Sequence, residues 1–483
     1  MRIYRFFISF CVVFNLNSQN LVEKNILSFS SEQVNTKSKI SFLAIDVQSG
    51  AKIAELNSES AITSASTTKL FSTASAFEIL GKDKKSSTQI YCSGNLDKNG
   101  TLHGDIWIRG GGDMSLGSKF FSEEAKELDF LKAWVDSIKQ KGIKKIEGQI
   151  IADGSAFGYK GVPDGWHEGD VGNYYGAWAG GLNFYDNTIK LYFQTGNVGS
   201  KTKILSVFPE VPGMVFSNSV VSAKINGDDS SIEGGAFSLN RKIKGKLPAN
   251  KNPFVVKGSM PDPEYLLAYY FSKALVTGGI NVQNKPTSVR LNSKLISSYE
   301  DGFKLLFEQK SRSVGEIAYW TNVKSVNLFA EGLLNWLGYF ANGNGSTESG
   351  LTELQRYWNG KLKLDGMILK DGSGLSRMDA ISAKHFCDLL IYMGNSVNSA
   401  DFRATLPIAG KSGTIKYLCK GGAGEGRVFA KSGTLNNVKS YAGYVDSKTG
   451  KKIAFAFIVN DFNCSSAAIT TKMEKVLNAL AEY

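Results

Sequence analysis

The chain has 483 residues, long for one hydrophobic core, so two or three domains are expected. A hydrophobic content of 42%, with 51 glycines and only 9 prolines, excludes a disordered or fibrous protein. The net charge of +12 is not gathered into a Lys/Arg block, which argues against a nucleic-acid arm. Basic charge of this kind suits either attraction to anionic envelope polymers or solubility alone.

Arg2 and Arg5 precede an apolar run, Phe6 to Leu16, that is too short to span a bilayer. Polar Asn17-Ser18-Gln19-Asn20 follows. Residues 1–20 therefore read as a secretory signal cleaved near Ser18, the alternative being an uncleaved anchor. Beyond it stand Cys92, Cys387, Cys419 and Cys464. Export permits disulfides, and the three full pairings of four cysteines stay open. Their spacing is not that of metal ligands. His103, His167 and His385 form no His-Glu-x-x-His pattern and read as surface or packing residues. Any serine chemistry would then use a lysine base in place of a Ser-His-Asp triad.

Lys39 to Val47 and Ala51 to Leu56 are predicted as strands joined by Gln48-Ser49-Gly50. Next comes Ser64-Ala65-Ser66-Thr67-Thr68-Lys69, running into Leu70 to Gly81. Leu70, Ala74 and Phe77 repeat at helical spacing, and Gly81 suits a stop. Ser66 and Lys69 share one helical face, a turn apart. A desolvated lysine there can take the serine's proton. Ser-x-x-Lys alone is weak, and Ser200-Lys201-Thr202-Lys203 repeats it in a polar stretch with no helix behind it.

From about residue 86 short strands and glycines take over. Gly110-Gly111-Gly112 lacks a Gly-Lys-Ser/Thr ending and reads as a backbone turn. Residues 195–254 read as a small β-rich insert, with a strand-like piece at Ser219 to Ile225, and Asp262 to Thr277 as a helix. Helices are expected at Ser313–Trp320, Asn327–Phe340, Leu351–Trp358 and Ser382–Met393, the last N-capped by Ser382. Strands follow at Arg427–Ala430, Ser440–Val445 and Lys452–Val459, then a helix from Ser465 to Tyr483. The two ends share one style around a different middle, which suggests an inserted module.

Ser325-Val326-Asn327 opens one of those helices, although Ser238-Leu239-Asn240 and Ser396-Val397-Asn398 also fit the triplet. Lys431-Ser432-Gly433-Thr434 is predicted to follow one strand and lead into another. Its double, Lys411-Ser412-Gly413-Thr414, leads into a loop, so the later copy is preferred. The order Ser-x-x-Lys, Ser-x-Asn, Lys-Ser/Thr-Gly resembles the penicillin-binding/β-lactamase superfamily. The 259 residues from Ser66 to Ser325 resemble, within it, the class C low-molecular-mass penicillin-binding proteins. That is the D-alanyl-D-alanine carboxypeptidase/endopeptidase family. Arg109–Asp113, Gly148–Asp153, Asp371–Arg377, Leu406–Gly410 and Tyr441–Val445 extend the likeness over residues 38–483. Three positions depart from the pattern: Ser64 for proline, Val326 for aspartate and Ser432 for threonine.

The resemblance implies an α/β (α+β) fold, a transpeptidase-like antiparallel sheet flanked by helices, with two smaller β-rich domains inserted. The catalytic domain is expected at 21–85 and 293–483, the first insert at 86–194 and 255–292, and the nested one at 195–254. It implies Ser66 as nucleophile, Lys69 as base and Ser325 as proton relay. Asn327, Lys431, Ser432, Gly433 and Thr434 would bind substrate, with the N–H groups of Ser66 and Thr434 as oxyanion hole. Asp153 is the candidate to meet an amine on the third stem residue, against a plain turn-capping role. No cofactor or metal is expected. The implied partners are peptidoglycan peptides ending in D-Ala-D-Ala, DD-cross-links, and β-lactams as inhibitors. Nucleic acid is not expected, membrane contact is at most peripheral, and the place is the periplasm or cell envelope. The competing readings are a β-lactamase or esterase of the same superfamily, and a non-catalytic envelope-binding protein.

Overall fold

The computed structural model describes residues 21–32, 37–123, 125–295 and 302–483, so the expected signal at 1–20 lies outside the described residues. The chain forms two compact units. The first takes the chain up to Lys82 with Val314–Val326 and Leu351–Tyr483; the second takes Asp83–Ser313 and Asn327–Gly350.

The first unit is built on a five-stranded antiparallel sheet. Its order is Val428–Leu435, Val438–Asp446, Lys452–Asn460, Lys39–Asp46 and Lys52–Leu56. The middle strand is buried from Ile453 to Asn460, which fits its near-continuous apolar run, because both faces are covered. Alternate residues point to opposite faces. Ile453, Phe455, Phe457 and Val459 meet the closing helix Ser466–Glu482 and the helical residues 21–31. Phe29 lies edge-on to Phe457 at 4.9 Å. The other face carries helix Ala383–Asn395, where the Tyr444 hydroxyl donates to the Leu390 carbonyl at 2.7 Å. Ser382 caps that helix as expected, accepting from the His385 N–H at 3.1 Å.

Two differences from expectation bear on the serine and lysine motifs. The strand predicted to stop at Ala430 runs on to Leu435, so Lys431 to Thr434 lie inside it and not after it. The cause is a tight connection: Asn437, at φ +57°, turns the chain straight into Val438–Asp446. The run beginning at Ala65 is continuous but changes winding. It is a 3-10 turn over Ala65–Thr68, an α-helix over Lys69–Ser75 and a π-turn over Ala76–Leu80, ended by Gly81 at φ +82°.

In the second unit, strands Thr287–Ser288, Ile150–Asp153, Ile106–Gly110, Ser87–Ser93 and Phe303–Lys310 lie side by side. Phe303–Lys310 pairs along Ser87–Ser93, and so the chain returns to the first unit at Val314, later than the expected 293. Residues 195–254 contain strands and turns only. Of the expected Ser219–Ile225 piece, Val221–Ala223 is strand. Helix Asn327–Asn342 belongs to this unit through Trp336, fully buried, whose indole N–H donates to the carbonyls of Gly111 and Gly112 at 3.1 and 3.0 Å. The triple glycine is not a turn: Gly110 ends a strand, and Gly111 and Gly112, the latter at φ +75°, continue past it with their N–H groups bonded to the Ser87 and Gly181 carbonyls. All four described cysteines are free thiols, with Cys92, Cys387 and Cys419 buried and Cys464 half-buried. No helix among the described residues is long and apolar enough to cross a membrane.

Trp336→Phe keeps the ring burial and removes the donor to Gly111 and Gly112. We expect a loss of about 1–2 kcal/mol in stability, read as a lower urea midpoint without a change in slope.

Candidate active site

The serine turn is tied to the sheet by hydroxyl groups. Ser440, opposite Gly433 in the neighbouring strand, donates to the Ser64 carbonyl at 2.6 Å, and Thr67 donates to the same oxygen at 2.7 Å. A Cβ at position 433 would lie 2.6 Å from that carbonyl and would strike the Ser440 hydroxyl. Gly433 is therefore what lets the serine turn approach the strand closely. Ala65, just before Ser66, is held at φ +51°, a left-handed conformation that costs an L-residue energy.

Lys69 is fully buried, and its Nζ lies 2.9 Å from Ser66 Oγ. The same amine donates to the Ser373 carbonyl at 2.6 Å. That carbonyl is presented by Asp371-Gly372-Ser373-Gly374-Leu375-Ser376. Here the Asp371 carboxylate accepts the N–H groups of Gly374, Leu375 and Ser376 at 2.7, 2.9 and 2.8 Å. Gly374 sits at φ +75°, and a side chain there would strike the Ala65 carbonyl. The Ser72 hydroxyl donates to the Gly372 carbonyl at 2.6 Å. One turn thus grips the serine helix at three levels.

The second lysine repeats the arrangement. Lys431, also fully buried, reaches Ser325 Oγ at 2.9 Å and the Ser432 carbonyl at 2.6 Å. Ser325 lies at φ +58°, in the break after helix Val314–Lys324. Burial first, then the positive charges of Lys69 and Lys439, hold the Lys431 amine well below the ordinary lysine range. The two hydroxyls of the Lys-Ser-Gly-Thr strand each have an outside partner. Thr414 Oγ1 lies 2.7 Å from Ser432 Oγ, and Lys439 donates to Thr434 Oγ1 at 2.9 Å.

Ser66, Lys69, Ser325, Lys431, Ser432, Gly433 and Thr434 thus come together within the first unit. Asn327 and Asp153 belong to the second. The Asn327 amide donates to the Tyr175 carbonyl at 2.7 Å. Asp153, buried at a strand end, accepts the Ser155 N–H at 3.0 Å, the geometry of a turn cap. Beside it burial raises the Glu264 carboxyl to about 8, and the Tyr159 hydroxyl donates to that group at 3.2 Å. Sequence reasoning missed three contacts: the Ser373 carbonyl on Lys69, Thr414 on Ser432, and Lys439 on Thr434. The glycine-rich run at 371–377 and the second Lys-Ser-Gly-Thr held signals for the first two. The third needs the strand register, which sets Thr434 opposite Lys439.

A serine–lysine turn packed on the edge strand of such a sheet belongs to the fold class of penicillin-binding serine hydrolases. The crystal structure of penicillin binding protein 4 from Haemophilus influenzae matches with a TM-score of 0.81 at 23% identity, over 95% of this chain and 100% of that one. The D-Ala-D-Ala carboxypeptidase 3 (S13) family profile matches residues 24–483, and the chain belongs to that family. It is a hydrolase of the carboxypeptidase type. A D-alanyl-D-alanine carboxypeptidase of Actinomadura sp. (strain R39) is 27% identical, over 91% of this chain and 81% of its own length. The carboxypeptidase DacB of Haemophilus influenzae is 25% identical, over 90% and 88%.

The Lys431 shift carries a sign that can be tested. With its folded value below the unfolded one, the folded state binds fewer protons in between, so stability rises with pH across that window. Below the window the buried charge costs its full amount. Lys431→Met lacks this dependence. We expect it to melt roughly 3 °C above wild type near pH 6, with the gap closing toward about pH 10. A gap constant across scanning calorimetry at several pH values would contradict this.

Proposed function

We propose that this protein is an exported serine-type D-alanyl-D-alanine carboxypeptidase and DD-endopeptidase of the periplasm or cell envelope. It would act on peptidoglycan stem peptides and cross-links through a Ser66 acyl-enzyme. The observation that carries this reading is the fully buried Lys69 amine 2.9 Å from Ser66 Oγ, mirrored by Lys431 on Ser325 at the same distance. Ser66 Oγ attacks the carbonyl between two D-alanine units while Lys69, as the free amine, takes its proton. Burial and like charge disfavour two ammonium groups in this site, so a proton can be carried by one of the two lysines while the other is a free amine. A substrate's terminal carboxylate beside Lys431 would supply the counter-charge that burial there lacks.

The oxyanion formed on attack lies with the N–H groups of Ser66 and Thr434, each such donor being worth about 3–4 kcal/mol. The proton held by Lys69 passes through Ser325 to the leaving amine, and free D-alanine, or the amine of a cross-linked strand, departs. Water then attacks the Ser66 ester, returns the proton and frees the shortened peptide. Ser432 and Thr434 bind the carboxylate with Lys431, and Asn327 holds the substrate amide. Asp153 is assigned to an amine on the third stem residue, beside its bond from the Ser155 N–H. The inserted part, expected at 86–194 with 255–292 and observed to continue to Ser313, would be a separate domain, with 195–254 nested in it as a smaller one. A β-lactam enters the same path and leaves a slowly hydrolysed adduct.

Intact-protein mass after incubation with a penicillin, beside Ser66→Ala, tests the reading. We expect one adduct of drug mass that is absent from the variant. Folded wild type that neither forms an adduct nor consumes the drug would remove the enzyme reading, and rapid consumption without an adduct would favour a β-lactamase.

A further inference from the structure

The second Lys-Ser-Gly-Thr, at 411–414, lies against the first. Residues Pro407 to Ala409 run along the outer edge of the Val428–Leu435 strand. The Ala409 N–H donates to the Val428 carbonyl at 2.9 Å, and the Ala430 N–H to the Pro407 carbonyl at 3.1 Å. The chain then folds back on itself. The Ser412 hydroxyl accepts the Ile408 N–H at 2.9 Å, and the Gly410 N–H donates to the Ile415 carbonyl at 3.1 Å. Gly413, at φ +60°, is pressed where a Cβ would lie 2.6 Å from the Val323 carbonyl and 2.6 Å from the Pro407 ring. Val323 stands two residues before Ser325, in the last turn of its helix. The loop is therefore fixed both to the end of the Ser325 helix and to the motif strand. From that fixed point Thr414 Oγ1 meets Ser432 Oγ at 2.7 Å, although Thr414 itself is exposed.

We propose that Thr414 is a positioning residue that aims the Ser432 hydroxyl at the substrate's terminal carboxylate. The inference rests on the reading of Ser66 as nucleophile and Ser432 as carboxylate donor. A hydroxyl has one hydrogen and two lone pairs. When Thr414 donates to Ser432 Oγ, the Ser432 hydrogen is left to point elsewhere, toward an incoming anion. Lys439 donates to Thr434 Oγ1, so with Thr414 as donor to Ser432 both hydroxyls of the strand would keep their own hydrogens for an anion. Serine at 432 has particular need of this. Threonine's branched Cβ restricts χ1 by itself, whereas serine depends on a neighbour to fix its rotamer. No new bond is made in this role; the residue acts through another.

The test is a double-mutant cycle read as kcat/KM for D-alanine release from diacetyl-L-lysyl-D-alanyl-D-alanine. Thr414→Val removes the hydroxyl at constant shape, and we expect about a five-fold loss, the scale of one hydrogen bond. Thr414→Ser, which restores the donor, should stay within about two-fold of wild type. In a Ser432→Ala background Thr414→Val should cost nothing further, because its target is gone. A Thr414→Val loss that is equally large in that background, or no loss at all, overturns the inference. Penicillin labelling of wild type separates the two layers. An adduct on wild type with an inert Thr414 defeats the inference alone, whereas no adduct defeats the reading beneath it and the inference with it.

Discussion

Two lysines buried side by side are the constraint on which the first unit is arranged. Each amine is fully enclosed, each lies 2.9 Å from a serine hydroxyl, and each is held by a backbone carbonyl, Ser373 for Lys69 and Ser432 for Lys431. The charges felt most strongly at Lys431 are positive, from Lys69 and Lys439. Such an arrangement works against stability, since burying charge is costly and like charge adds to it. The surrounding structure offsets that cost with a well-filled sheet. Its central strand is apolar to both sides, and the helices covering it bring Phe29, Phe386, Val476 and Leu480 into the interior. Chemistry is concentrated where the fold is least comfortable.

Close approach is the second constraint, and it is met by missing side chains and unusual backbone. Gly433 and Gly374 stand on two sides of the serine turn, and at either one a Cβ would meet the backbone of that turn. Ala65 and Ser325, both non-glycine residues in the left-handed region, precede or form the reactive positions. Conformations of this kind persist only where the surroundings over-determine them. Here the surroundings are visible: the Ser440 and Thr67 hydroxyls on the Ser64 carbonyl, and the Asp371 carboxylate on three successive N–H groups. The Ser66–Lys69 geometry is a product of these supports as much as of the helix.

The sequence made the sheet and most helices legible because their apolar periods are strong. Lys452–Val459 and the closing amphipathic helix show this well, ending within a residue of the observed Lys452–Asn460 and Ser466–Glu482. Spacing alone brought Ser66 and Lys69 onto one face. What it could not reach was long-range. Lys69 meets a carbonyl 304 positions away, and a carbonyl leaves no mark of its own in a sequence. The winding change along 65–80 was hidden because 3-10, α and π turns draw on the same residues. The second Lys-Ser-Gly-Thr looked like a false copy, since pattern matching weighs each occurrence alone. Only the tight turn at Gly413 shows why it stands next to the first.

The strand that carries Lys431 to Thr434 is the edge of its sheet. An uncovered edge invites pairing with another copy of the same chain. Here the first half of that edge is taken by the protein's own Pro407–Ala409, while Lys411 and Glu425 pair at 2.7 Å in the loop beside it. One segment of the chain therefore closes part of the edge with its own backbone and leaves the stretch from Lys431 onward to present its N–H and C=O groups to an extended partner.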